Sequence, residues 1–247
     1  MLGEEVLLAL GLFVPYWLEI GPSGFLMCNM ETLKITGESW SFLELEVMIY
    51  AGGMVDRNTV KKAVKGVDVV YHLALNWDGA TWKHQNPIPD LFDVNIRGTF
   101  NLLEEARLEG VKHFLFASSG AVYGNGDLEV VDEESPCKPE LFSGEPGPAY
   151  GILKFATERL CLLYYHVYGL PVTALRIGYV FEPPSKGEIH VEDVVQAFLL
   201  ATLNRKAYGQ VFNVACEPTV STRKIRENLG WKPKFTSRTY KVHPLEI

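Results

Sequence analysis

Short runs rich in apolar and β-branched residues alternate along the chain with longer stretches of helical periodicity. Val67 to Leu75 ("VDVVYHLAL"), Val111 to Ser119 ("VKHFLFASS") and Pro171 to Phe181 ("PVTALRIGYVF") have strand length and are apolar at successive positions. Helical patterns lie between them, over roughly 57–65, 89–109 and 150–168. Gly110 and Gly169 follow the last two, where a left-handed C-cap is wanted. Strands apolar on both faces and separated by helices imply a parallel sheet covered on both sides, so the predicted fold is a doubly wound, Rossmann-like α/β sheet. The expected division is a sheet domain over 1–178 and a small carboxyl-terminal lobe over 179–247, interleaved with it.

In such a sheet ligands bind beyond the carboxyl ends of the strands. Two strands there run into polar sequence, "NWDGATWKHQNP" after "HLAL" and "SSGAVYGNGD" after "FLFA". Trp77, Trp82, Lys83 and His84 on the first of these either line a pocket or pack the loop on itself. His72 and His190 with Asp193 read as structural groups at a strand end and a helix entry.

The most apolar run, Val6 to Leu18, follows Glu4 and Glu5 and is shorter than the ~18 to 20 residues that span a bilayer, so it is expected to be buried structure. The chain of 247 residues is 47% apolar and 21% charged, which suits a globular domain with a substantial core. A net charge of -7 and a pI near 5.4 argue against a nucleic-acid or membrane-surface binder. Cys28, Cys137, Cys161 and Cys216 show no metal-binding spacing, so no metal is expected, and reduced thiols in a cytoplasmic protein are the simplest account.

A phosphate-binding turn should follow the first strand, and "YWLEIGPSGFLMCNMETLKITG" offers Gly21 and Gly24 with a helical stretch ending at Gly37. Gly21, Gly24 and Phe25 would contact a dinucleotide, although Met27 stands at the third glycine position. About twenty residues on, an acidic side chain should hold the ribose of NAD; Glu44 is best placed and Glu46 is the alternative. The lack of arginine between Gly37 and Asp56 disfavours NADP.

In "GPAYGILKFATERL", Tyr150 precedes Lys154 by one helical turn, so the two side chains share a face. Alone, the pair is equally compatible with a solvated first turn. Joined to "VNIRGTFNLLEEARLEGVKHFLFASSGAVYG", "YGLPVTALRIGYVF" and "IHVEDVVQAFLLA", the stretch resembles the extended short-chain dehydrogenase/reductase family of NAD-dependent sugar epimerases and dehydratases. The resemblance makes Tyr150 the general acid/base, Lys154 its partner and a ribose ligand, and Ser119 the hydroxyl on the substrate oxygen. It also places Asn95, Leu73 and Ala74 beside the cofactor. An ammonium about 5 Å from the phenol, at an effective dielectric of ~20, would favour the phenolate by about 3 kcal/mol and draw Tyr150 down toward neutrality. The implied reaction is hydride transfer at a secondary hydroxyl of a sugar, nucleotide-linked in the family pattern, by an epimerase or a dehydrogenase. Gly120 and Ala121 stand where the dehydratases carry an Asp-Glu pair, which disfavours a dehydratase. Gly53 replaces an adenine-contacting aspartate, and the short segment "FEPPSKGE" predicts a compact or open substrate site. A catalytically weak dinucleotide-binding or interaction protein is the competing expectation. The helices over 89–109 and 150–168, the latter apolar around most of its circumference, are expected to form a homodimer.

Overall fold

A computed structural model describes residues 26–36, 39–49, 53–74, 91–125, 130–143, 147–181, 189–216 and 218–234, with backbone alone for the first two segments. The main sheet has six strands: β1 (Leu26–Thr36), β2 (Ser39–Ile49), β3 (Val69–His72), β4 (His113–Ser119), β5 (Val172–Ile177) and β8 (Gln210–Val214). Their spatial order is β2-β1-β3-β4-β5-β8. β3, β4, β5 and β8 are parallel, whereas β1 runs antiparallel to both β2 and β3. A small parallel pair, β6 (Val180–Phe181) and β7 (Ile189–His190), stands apart from this sheet.

The parallel strands are linked by helices, as their two-sided burial requires. Helix α1 (Arg57–Val64) starts at Asp56, whose carboxylate accepts from the Asn58 amide at 3.0 Å, and buries Val60, Ala63 and Val64. A π-helical turn (Asp93–Gly98) leads into α2 (Thr99–Glu109), and α3 (Pro148–Tyr168) joins β4 to β5. Gly110 and Gly169 both adopt φ 71° and stop α2 and α3, as their positions predict. Helix α4 (Val191–Leu203) joins β5 to β8, and α5 (Arg223–Leu229) follows β8.

Alternation along β4 divides the core into two layers. Phe114 and Phe116 pack with Val60, Leu102, Leu103, Ala106 and Cys161 beneath α1, α2 and α3. Leu115 and Ala117 face the other way, toward Val194, Phe198, Ile225 and Trp231 from α4, α5 and the chain beyond. Each fully buried Phe or Leu here stabilises the fold by about 1.5–3 kcal/mol. The Trp231 indole donates to the Asp193 carbonyl at 2.8 Å, and the Asp193 carboxylate accepts from the Lys234 amide at 2.7 Å. His190 caps α4, its Nδ1 accepting from the Glu192 amide at 3.2 Å. His190 and Asp193 therefore make the helix-entry and support contacts expected of them. Among the described residues no helix is long and apolar enough to cross a membrane.

One expectation is corrected. The helix predicted between Gly24 and Gly37 is absent, and 26–36 is instead β1, paired with β2 from Leu26–Ile49 to Thr36–Ser39. Trp40, Phe42, Val47 and Ile49 on β2 are strand formers, and their non-local pairing overrides the weak helical periodicity of 26–36. Beyond β7, the described chain adds β8 to the main sheet and covers that sheet's second face with α4 and α5.

Candidate active site

β4 ends at Ser119, whose register partner Ile177 is the last residue of β5. Ser119 is extended, and its hydroxyl accepts from the Ala121 amide at 3.2 Å, which turns the chain into a 3-10 turn over Gly120–Tyr123. The first turn of α3 lies against this turn. A Cβ on Gly151 would stand 2.8 Å from the Ala121 carbonyl oxygen and 3.1 Å from that of Pro139, so only glycine permits the approach. Tyr150, next to Gly151, is thereby brought to the end of β4, near enough to Ser119 for the serine hydroxyl to act on the phenol.

One turn further along, Lys154 lies under the same end of the sheet and is 4% exposed. Its ammonium donates to the Ala117 carbonyl at 2.7 Å and lies 5.1 Å from the Phe116 ring centroid and 5.9 Å from that of Tyr150. Burial draws Lys154 down to about 7. Burial also raises the Tyr150 phenol above its usual range, against the Ser119 hydrogen bond that lowers it, and the nearby Tyr179 hydroxyl raises it further. The shift at Tyr150 is therefore upward, opposite to the one expected from spacing alone, because desolvation of the phenolate is the largest influence on it.

Asn95 is buried within the π-helical turn, and its carbonyl accepts from the Thr99 hydroxyl at 2.6 Å and the Thr157 hydroxyl at 3.3 Å. Because the Thr99 hydroxyl donates to Asn95, the His72 Nε2, 2.7 Å from that hydroxyl, must carry the hydrogen. Nδ1 is then the unprotonated nitrogen, and it has no hydrogen-bond partner among the described residues. Burial, with the Lys154 charge as the second cause, pulls His72 down to about 3 and keeps the ring neutral. His72 is thus a support for the Asn95 turn, in line with its structural reading.

Leu73 and Ala74 follow β3 at the same edge and are half-buried. Glu44 lies within β2, opposite Thr32 of β1, so β1 separates its strand from β3 and the Tyr150 cluster. Gly21, Gly24, Phe25, Trp77, Trp82, Lys83 and His84 lie outside the described residues. Sequence reasoning did not single out Ala117, Phe116, Thr99 or Thr157. Of these, Thr157 alone was signalled, by its place three residues after Lys154 on the same helix face.

These residues fit the nicotinamide-ribose end of a dinucleotide. An ammonium has three donors, and Lys154 directs one to Ala117 near the end of β4, with the Tyr150 ring 5.9 Å away. A doubly wound sheet with linked Ser and Tyr hydroxyls above a buried Lys defines a protein of the extended short-chain dehydrogenase/reductase class. The sequence profile of the NAD dependent epimerase/dehydratase family matches residues 32–188, and the chain belongs to that family.

Among its relatives is uronate dehydrogenase from Pseudomonas syringae pv. tomato, 28% identical over 197 residues, covering 76% of this chain and 67% of the relative. GDP-mannose 3,5-epimerase from Arabidopsis thaliana is 31% identical over 122 residues, covering 49% of this chain and 32% of that enzyme. A solved structure of a mutated uronate dehydrogenase superposes with a TM-score of 0.64 at 29% identity, covering 75% of this chain and 66% of the other. A short-chain dehydrogenase/reductase superfamily protein from Agrobacterium tumefaciens with bound NAD shares the fold, with a TM-score of 0.66 at 20% identity over 76% of this chain and 81% of that one.

Proposed function

We propose that this chain is an NAD-dependent oxidoreductase or epimerase that acts on a secondary hydroxyl of a sugar or nucleotide-sugar. The observation that carries the reading is Tyr150 set beside Ser119, with Lys154 one turn further along and bonded to the Ala117 carbonyl. Bound NAD would supply the hydride acceptor, with Lys154 and Asn95 at its ribose and Leu73 and Ala74 along its edge. Ser119 holds the substrate oxygen, and Tyr150 moves its proton. Because burial keeps the phenol protonated, the site favours Tyr150 as an acid, and the Lys154 charge is what eases its turn as a base. Sugar-enzyme relatives support the substrate class, and the Gly120-Ala121 pair speaks against dehydration.

The proposal includes a homodimer. Phe100 and Leu108 on α2 and Ile152, Leu163, Val167 and Tyr168 on α3 are large exposed apolar side chains on the two helices expected to pair. A cytoplasmic setting suits the free thiols of Cys137 and Cys161. A catalytically weak relative of the same fold is supported by one observation, the strand β1 where a helix was expected after Gly24.

The test is NADH formation with a panel of sugar acids and nucleotide-sugars, paired with NMR of the products to detect inversion at a hydroxyl carbon. Tyr150→Phe is expected to lower turnover by about 100- to 10,000-fold with NAD binding nearly unchanged. Normal turnover in that variant would remove Tyr150 from the role of acid/base.

A further inference from the structure

Ser118 on β4, Arg176 on β5 and Asn213 on β8 are register partners, so they form one row across three parallel strands. All three are buried, and the row lies one residue before the row of Ser119, Ile177 and Val214 at the strand ends. A single carboxylate from α3 meets it. Glu158 Oε2 accepts from the Ser118 hydroxyl at 2.7 Å and from Arg176 Nε at 3.0 Å, while its Oε1 accepts from Arg176 Nη2 at 2.8 Å. Arg176 Nη1 donates to the Tyr123 hydroxyl at 2.8 Å, and that hydroxyl donates to Asn213 Oδ1 at 2.7 Å. Asn213 is held in turn, its Nδ2 donating to the Ser221 carbonyl at 3.2 Å and its amide to Glu133 at 2.8 Å.

The placement of these groups matters more than their strength. Tyr150, Lys154 and Glu158 are spaced by four residues and share one face of α3. They engage three consecutive residues of β4: Tyr150 the Ser119 hydroxyl, Lys154 the Ala117 carbonyl, and Glu158 the Ser118 hydroxyl. Tyr123 also closes the 3-10 turn that Ser119 begins. A buried ion pair is a poor source of stability, because the desolvation of both charges offsets their attraction. A planar two-point fork does restrict geometry, fixing both the rotation and the axial position of the helix that carries its carboxylate.

We propose that the row of Ser118, Arg176 and Asn213, closed by Glu158 and Tyr123, is a positioning device that sets α3 against β4 so that Tyr150 meets Ser119 and Lys154 meets the Ala117 carbonyl. These are positioning residues and touch no reacting atom. The catalytic consequence rests on the function proposed above; the placement of α3 does not.

The test is the double variant Glu158→Leu/Arg176→Met, which removes both charges of the buried pair together and leaves Arg159, the other partner of Glu158, exposed to solvent. Its readout is the titration midpoint of Lys154 by NMR of isotopically labelled lysine, because that midpoint depends on the burial of the ammonium against Phe116, Tyr150 and the Ala117 carbonyl. In the native chain burial is expected to draw it down to about 7. Displacement of α3 is expected to move it up toward the ordinary lysine range and to lower kcat by about 100-fold, as a misplacement of about an ångström does. An unchanged midpoint overturns the proposal. Should the double variant fail to fold, Arg176→Lys keeps the charge and loses the fork: an upward midpoint supports the proposal and a native one refutes it. A native chain that turns over no sugar sinks the functional reading, and the midpoint still decides the positioning claim.

Discussion

Replacing Lys154 with methionine removes a buried ammonium and keeps an unbranched aliphatic stem of similar reach. Burial pulls the group from 10.5 to about 7. At pH 6 the folded and unfolded chains both carry the charge, so the folded state bears the full cost of burying it. At about 1.4 kcal/mol per pH unit of displacement, that cost is about 5 kcal/mol, an upper bound on what the substitution recovers. Above pH 7 the folded chain releases the proton while the unfolded chain holds it until 10.5, so native stability rises with pH across that window. Between pH 6 and 9 the gain from this group alone is about 3 kcal/mol. The methionine variant lacks the group; His72 and Cys161, which feel its charge, are the other buried titrations that the substitution alters. Urea unfolding is expected to show Lys154→Met more stable than the native chain at pH 6, with the advantage shrinking by about 3 kcal/mol at pH 9. Turnover should be lost, a trade of function for stability. A variant less stable than native at pH 6, or an advantage equal at both pH values, would refute the account of Lys154 as a charge buried at a cost.

Gly151→Ala places a methyl against the Ala121 and Pro139 carbonyls, which cannot swing aside as a side chain would; a loss of about 1–3 kcal/mol in urea and a fall in kcat are expected, and native values for both would show that the first turn of α3 need not approach so closely. Val167→Asp introduces a charge at an exposed apolar position of α3; light scattering should show dimer giving way to monomer while stability of the isolated fold changes by less than about 0.5 kcal/mol. A native chain already monomeric at micromolar concentration would remove the proposed interface.

The parts of the fold that are legible in the sequence are those decided locally. β3, β4 and β5 are apolar at successive positions, and α2 and α3 end at glycines that adopt the left-handed conformation. Tyr150 and Ser119 are legible because each sits at a punctuation point, the start of a helix and the end of a strand. The segment 26–36 is misread because its strand character comes from pairing with 39–49 and with β3, which no local window contains. Spacing places Lys154 beside Tyr150, but only packing shows that Phe116 and the Ala117 carbonyl lie against the ammonium, and that the phenol's own burial turns its shift upward. The row of Ser118, Arg176 and Asn213 is hidden for the same reason, since register between strands far apart in the chain brings it together.

The central claim is that a dinucleotide binds at the carboxyl end of β4 and that Tyr150 then moves a proton beside it. Calorimetric titration of the chain with NAD and with NADP tests it most directly. Saturable binding of NAD, with weaker binding of NADP, is the expected result. Absence of binding by both would contradict the claim, however well Ser119, Tyr150 and Lys154 are arranged.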